Sequence, residues 1–328
     1  DDLEMMLRKL PVHCRAFSRL FLRHRHDTQA RLVTAKDLLD RELAVVSEED
    51  VVLTALEKMR DTNTCALAVT DTSGENLVGI VTERDYLKKI RHEKDPEKKC
   101  PVWKVMTSFP IGCLEATPVA ECALAMSRYR IQNLFVFCDS ARMPDGRRLG
   151  RRRLPSMQTL TGILSVRQVL GALFEAYKTM NNSEVVDTAF FTMPVSDLLP
   201  QAGKHTVPVV APTDTVLQAV REMVSYNVGS ALVAEGTDSD STLCGILTEH
   251  DYATKIVLRG TISNNTLVKE AMTPNPVAVV GSTPCAQALE QMVEHDIRHL
   301  PVWRGGGESA VPPGVLTARH ILNLLNIQ

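Results

Sequence analysis

No two cysteines of this 328-residue chain fall in a CxxC spacing, which removes the usual sequence sign of a zinc ribbon or a redox dithiol. The eight cysteines are scattered, several of them inside apolar runs, and read as reduced, mostly structural thiols of a reducing compartment. No run of about 18 apolar residues occurs, so no segment reads as a bilayer span. A net charge of −2 gives no general pull toward nucleic acid or anionic membrane. A nucleophile elbow, a metal-ligand set and paired acids in a catalytic frame are all missing, which makes a binding protein the expectation and an enzyme the outsider. His295 and His299 are four apart, as in a helical metal pair, but Asp296 and Ile297 lead into a strand, and no metal is predicted. The 44% apolar and 23% charged residues are those of a globular protein long enough for two or three ordinary domains.

Acids are missing locally as well. From Met5 to His26 there is none, while Arg8, Lys9, Arg15, Arg19, Arg23 and Arg25 sit among apolar residues. Residues 1–35 read equally as a remnant of an organellar transit peptide, which points to the mitochondrial matrix, or as a basic arm docked on a cytoplasmic protein. The chain opens on Asp1 rather than Met, as a processed or truncated protein does.

What is present is repetition. Gly79-Ile80-Val81-Thr82-Glu83-Arg84-Asp85-Tyr86 returns 166 residues later as Gly245-Ile246-Leu247-Thr248-Glu249-His250-Asp251-Tyr252. Looser copies begin at Gly162 and Gly314. Gly79, Gly162 and Gly245 fall at even intervals of 83, and Gly314 follows after 69. Four units therefore underlie the chain. Val105-Met106-Thr107 matches Ala271-Met272-Thr273, and Ile131-Gln132-Asn133-Leu134 matches Ile297-Arg298-His299-Leu300, so the duplicated object is a pair of units.

Apolar periodicity gives each unit the order strand, helix, strand, strand, helix. Val52, Leu56 and Met59 recur at helical spacing, as do Val216, Val220 and Met223, with Asp50 and Asp214 in the expected N-cap positions. The units span 36–95, 100–180, 196–260 and 266–328, with the join near Asn181-Asn182-Ser183 in a linker over 181–195. A unit of about 60 residues is marginal alone, and pairing two buries the bare sheet face.

The Met-Thr-x-x-Pro opening, the Ile-Arg-His-Leu-Pro-Val strand and the Gly-x-[Leu/Val]-[Ser/Thr]-x-x-Asp helix start, carried by units that repeat four times in register, resemble the cystathionine-β-synthase (CBS) domain family. The resemblance covers about residues 36 to 325. It implies an α/β (α+β) fold of four tandem CBS-type β-α-β-β-α units, paired into two Bateman modules. This layout is similar to the γ subunit of AMP-activated protein kinase, which also carries four such domains.

Thr82-x-x-Asp85 and Thr248-x-x-Asp251 are sufficiently explained as capping boxes. The resemblance implies a second use, with Ser or Thr toward phosphate, Asp toward ribose, and adenine between apolar strands. The implied ligand is AMP, ADP or ATP, with S-adenosylmethionine less favoured. Ser165 and Thr317 keep the hydroxyl, but Gln168 and His320 replace the acid, so one ribose site per module is expected. Arg298 and His299 stand where the family places phosphate-facing basic residues, while Gln132, Asn133, Cys65 and Ser230 are uncharged at the equivalent places. The second module is thus expected to be the better equipped for a charged ligand. Arg84, His250 and Arg319 inside the helix starts are further candidates.

The loop 139–159 carries Arg147, Arg148, Arg151, Arg152 and Arg153 with no acid between them. It reads as solvated or as a dock for an anionic partner. The expected function is regulation of a partner protein by nucleotide occupancy. The rival is a structural subunit of a large assembly with vestigial or permanently filled pockets. Four repeats can close a disc within one chain, or two chains can meet as a homodimer through exposed helices.

Overall fold

The computed structural model of the chain describes residues 22–23, 31–39, 42–89, 100–140, 156–180, 189–199, 207–236, 242–303 and 314–323. The arginines at 147–153, most of the basic arm, the linker residues 181–188 and the glycines at 305–307 lie outside these.

In the first unit the strand Val45–Ser47 runs parallel to Ala66–Thr70, reached through the helix Val52–Asp61, and Leu77–Thr82 pairs antiparallel beside it. The third unit repeats this with Val209–Val210, Val216–Ser225, Ser230–Glu235 and Thr242–Thr248. Parallel neighbours need a crossover, and the amphipathic helix supplies it. The second and fourth units carry Gly112–Leu114, Asn133–Phe137 and Leu160–Ser165, and Val279–Val280, His299–Trp303 and Gly314–Thr317, in the same arrangement.

Two kinds of apolar contact join the units. Sheet faces meet within each module. Ala66, Ala68 and Ile80 pack on Phe135, Phe137 and Leu160, and Leu232 packs on Val315. Helices meet between modules. Leu56, Met59 and Leu87 share one core with Val220, Met223 and Ile256, while Val169 and Leu173 share another with Leu289 and Ile321. Unit one therefore packs on unit three and unit two on unit four. All four units close into one body within a single chain.

Three sequence expectations change. The helices are not capped by Asp50 and Asp214. The N-caps are Val51 and Thr215, and the acids sit one residue earlier, accepting the N–H groups of Ser47 and Ala211. The linker expected over 181–195 holds a short helix, Ala189–Thr192. The segments opening the units also dock across the module. Thr107–Ser108 and Thr273–Pro274 become the fourth strands of the first and third sheets. Conversely, Ala35 and Val195 donate their N–H groups to Thr117 and Thr283 of the even-numbered units. Among the described residues no helix is long and apolar enough to cross a membrane.

Candidate functional site

Strand register places the four helix starts identically. Ala66 pairs with Thr82, Asn133 with Ser165, Ser230 with Thr248, and His299 with Thr317. Each hydroxyl thus lies at the end of a strand, opposite the start of its neighbour.

In the first unit Asp85 Oδ2 accepts the Thr82 N–H at 3.1 Å and the Thr82 hydroxyl at 2.7 Å. Its Oδ1 accepts the Thr107 hydroxyl at 3.0 Å and pairs with Lys89 Nζ at 2.9 Å. The third unit reproduces every contact. Asp251 Oδ2 takes the Thr248 N–H and hydroxyl at 2.9 and 2.6 Å, and Oδ1 takes the Thr273 hydroxyl at 3.1 Å and Lys255 Nζ at 2.7 Å. A carboxylate has about four acceptor positions, and both acids fill theirs with protein donors. Lys89 also donates to the carbonyls of Val105 and Met106, and Lys255 to those of Ala271 and Met272. Each lysine thereby ties the acid to the C-terminal end of the short helix Val102–Val105 or Val268–Ala271.

The even units make neutral versions of the box. Gln168 Oε1 accepts the Ser165 N–H and hydroxyl, both at 2.8 Å, and its amide donates to the Leu38 carbonyl. His320 Nδ1 accepts the Thr317 N–H at 3.1 Å. That role needs an unprotonated nitrogen, and burial, reinforced by Arg319, pushes the imidazole down to about 4.

At the module interface the duplicated residues meet each other. The Tyr86 and Tyr252 rings lie 6.0 Å apart, both buried. Glu83 accepts from His250 Nδ1 at 2.6 Å and Arg298 at 3.3 Å. Arg298 is only 13% exposed and also faces Glu249 at 3.9 Å. Burial pushes the Glu249 carboxyl up and Arg298 opposes it, while Oε2 has no hydrogen-bond partner. A Cβ at Gly229 would stand 2.6 Å from that oxygen, so the Glu249 carboxylate would have to shift. His299 is driven down to about 3 by burial and then by Arg298, so it is neutral.

Three clefts gather these groups. Thr248, Asp251 and Thr273 open on a cavity of about 610 Å³ that reaches Arg167, Arg298 and His299. Thr82, Asp85 and Thr107 line a smaller cleft of about 190 Å³, together with Arg84, Lys88, Arg130 and Arg319 and with Glu83, Glu249 and Arg298. Ser165 and Gln168 line a third, of about 230 Å³, with Cys65 and Asn133. The predicted residues thus fall in clefts between paired units, and Thr317 alone lines none of these three. Arg298, expected to face phosphate, is held by Glu83 and Glu249 and lines both aspartate clefts, and His299 is neutral. The cations Arg84, Lys88, Arg130 and Arg319 stand at the Asp85 cleft. Among the described residues no three His, Cys, Asp or Glu side chains converge as a metal site, and none of the described cysteines is in a disulfide.

The match to a family model decides the family. The chain belongs to the CBS domain family. The model of the CBS domain matches residues 35–92, 195–257 and 268–327, and the second unit carries the same strand and helix order. The CBS domain-containing protein CBSCBSPB1 of Arabidopsis thaliana is 27% identical over 297 residues, 88% of this chain and 53% of that protein. The chain thus spans about half of that relative. The mitochondrial CBSX3 of the same plant is 33% identical over 126 residues, 37% of this chain and 61% of its own. Among solved structures, a Methanocaldococcus jannaschii protein proposed as an archaeal homologue of g-AMPK superposes with a TM-score of 0.65 at 17% identity. The match covers 89% of this chain and 99% of that one, and it establishes the tandem fold.

Sequence reading passed over Lys89, Lys255, Thr107 and Thr273. Their signal lay in the repeat itself, since each lysine falls four residues after the aspartate and each threonine follows the matched methionine.

Proposed function

We propose that the chain is a non-enzymatic regulatory protein whose module clefts bind adenine nucleotides (AMP, ADP or ATP) and transmit their occupancy to a partner protein. One observation carries this reading. Each module presents the same set of a threonine hydroxyl, a carboxylate and a second threonine hydroxyl at a cleft between two units. A carboxylate so placed accepts both hydroxyls of a ribose, and it does so by releasing the lysine and threonine now on its Oδ1. Lys89 and Lys255 also hold carbonyls at the end of a neighbouring short helix. Ribose binding therefore loosens backbone contacts about a turn away, which is a route from occupancy to shape. S-adenosylmethionine presents the same ribose and is the second ligand to test.

The rival, a structural subunit with vestigial pockets, has one observation in its favour. Both acids are fully satisfied by the protein itself. A mitochondrial setting draws on the basic arm and on the likeness to CBSX3. The arginines at 147–153 remain a proposed anionic dock.

Calorimetric titration with AMP, ADP, ATP and S-adenosylmethionine, beside Asp85→Asn and Asp251→Asn, separates the two. Regulation predicts saturable binding that drops in a variant. Folded, nucleotide-free protein that gives no heat with any ligand leaves the structural reading.

A further inference from the structure

The cations around the two aspartate clefts differ in how they are already occupied. At the Asp251 cavity every described cation has a carboxylate partner. Arg60 pairs with Asp61, Arg167 with Asp296, and Arg298 with Glu83 and Glu249, while His250 bonds Glu83. A phosphate entering there competes with four acids that hold those cations.

The Asp85 cleft is different. It shares Arg298 and Glu83 with the Asp251 cavity and also has Glu249 in its lining. But Arg84, Lys88, Arg130 and Arg319 line it too, and among the described residues none of these four makes an ion pair. Arg84 and Arg319 donate only to the backbone carbonyls of Asn227 and Arg130. Lys88 and Arg130 are exposed at the rim, so the small enclosed volume adjoins an open edge with free donors. The four come from three units of the chain. Partial burial of Lys88, and then Arg84 and Arg319, hold it below its ordinary value although it is exposed to solvent, and burial and then Arg84 and Arg130 do the same to Arg319. The folded chain therefore sustains a repulsion that an anion relieves.

Arg130 supplies an independent sign. Each unit ends its crossover helix on a residue with positive φ, and three of the four use Asn63, Asn227 and Asp296, residue types that tolerate that conformation. Arg130 adopts it at φ 55°, with no short polar side chain to ease it. A strained residue that a commoner type would relieve points to a use for its side chain.

We propose that the two clefts sort adenosyl ligands by charge: the Asp85 cleft takes a nucleoside di- or triphosphate, and the Asp251 cavity takes an adenosyl compound with little negative charge. The inference rests on the nucleotide reading above and adds a ligand class to each site. The ribose sits at the aspartate in both. In the first cleft the phosphates run outward over Arg84 and Lys88, one turn apart on the same helix face, toward Arg130 and Arg319.

Asp251→Asn leaves the Asp85 cleft, Asp85→Asn leaves the Asp251 cavity, and Asn keeps an acceptor for each capping box. Titrated with ATP, AMP and adenosine, Asp251→Asn protein should bind ATP at least about tenfold tighter than adenosine, as expected for charge-assisted contacts. Added salt should erode that preference. Asp85→Asn protein should bind ATP no tighter than adenosine. Arg130→Asn places the residue type of the other units at that position, so its melting temperature should hold or rise while ATP affinity falls several-fold. An ATP preference in Asp85→Asn protein overturns the sorting alone, as does an Arg130→Asn chain that melts normally and keeps its ATP affinity. Absence of any adenosyl binding in either chain overturns the nucleotide reading with it.

Discussion

Lys255 shows what a single residue contributes. Its ammonium reaches Asp251, two carbonyls and the Thr273 hydroxyl, with its side chain 31% exposed. Lys255→Met should cost about 1–2 kcal/mol, the size of hydrogen bonds to a charged group discounted for solvent, read as a lower denaturant midpoint at an unchanged m-value. His320 gives a pH dependence with a definite sign. Its folded value lies near 4 and its ordinary value is 6.5, so between them only the unfolded chain takes up a proton. Stability therefore falls as pH drops from 6.5 toward 4, and His299 adds to the same slope from its value near 3. His250 runs the opposite way. Its bond to Glu83 raises it above 6.5, so its contribution is full below 6.5 and is lost as pH rises through the raised value. His320→Gln, which copies Gln168 of the second unit, should remove part of the acid-side slope in melting temperature, and an unchanged slope would contradict the assignment. The threonines and aspartates of the boxes were legible because the chain repeats them. The pairing of Arg298 with Glu83 was not, because 215 residues separate the two and nothing local reports their contact.

At the scale of elements, Gly79 and Gly245 explain why the repeated phrase opens on glycine. A Cβ at Gly79 would meet Met106 Sδ at 2.8 Å and the Thr107 carbonyl at 3.0 Å, and one at Gly245 would meet Met272 Sδ more closely still. These are the contacts that seat the fourth strand of each odd-numbered sheet, and that strand delivers Thr107 or Thr273 to the aspartate. Gly245→Ala should cost about 1–3 kcal/mol through overpacking, measured by thermal unfolding, and should loosen the Thr273 contact. The order strand, helix, strand, strand, helix was legible from periodicity alone. The helix caps were misplaced by one residue because Asp50 and Asp214 close the preceding turn instead. The crossing of the opening segments between units left no mark in sequence, since a repeat fixes the order of its parts and not the neighbour each part chooses.

For the molecule as a whole, pairing follows from which faces are apolar. Sheets close each module and helices close module on module, so the duplicated Tyr86 and Tyr252 meet near the centre. Tyr252→Ala should cost about 3 kcal/mol or more, as large-to-small changes in buried aromatic sites do. It should also weaken the contact between modules, seen as a second unfolding transition. The pairing of units was legible in the doubled repeat. Closure of the four units on one another within one chain was left open by the sequence, because outward helix faces read alike whether the partner is another module or another molecule.

In the proposed function the two aspartate clefts bind adenosyl ligands and pass the occupancy to the backbone through Lys89 and Lys255. Hydrogen exchange of the whole chain, with and without a saturating mixture of ATP, AMP and adenosine, tests it most directly. Slower exchange is expected at the helix starts after Thr82 and Thr248, with altered exchange at 102–107 and 268–273. Unchanged exchange at all four segments under saturating ligand would contradict it.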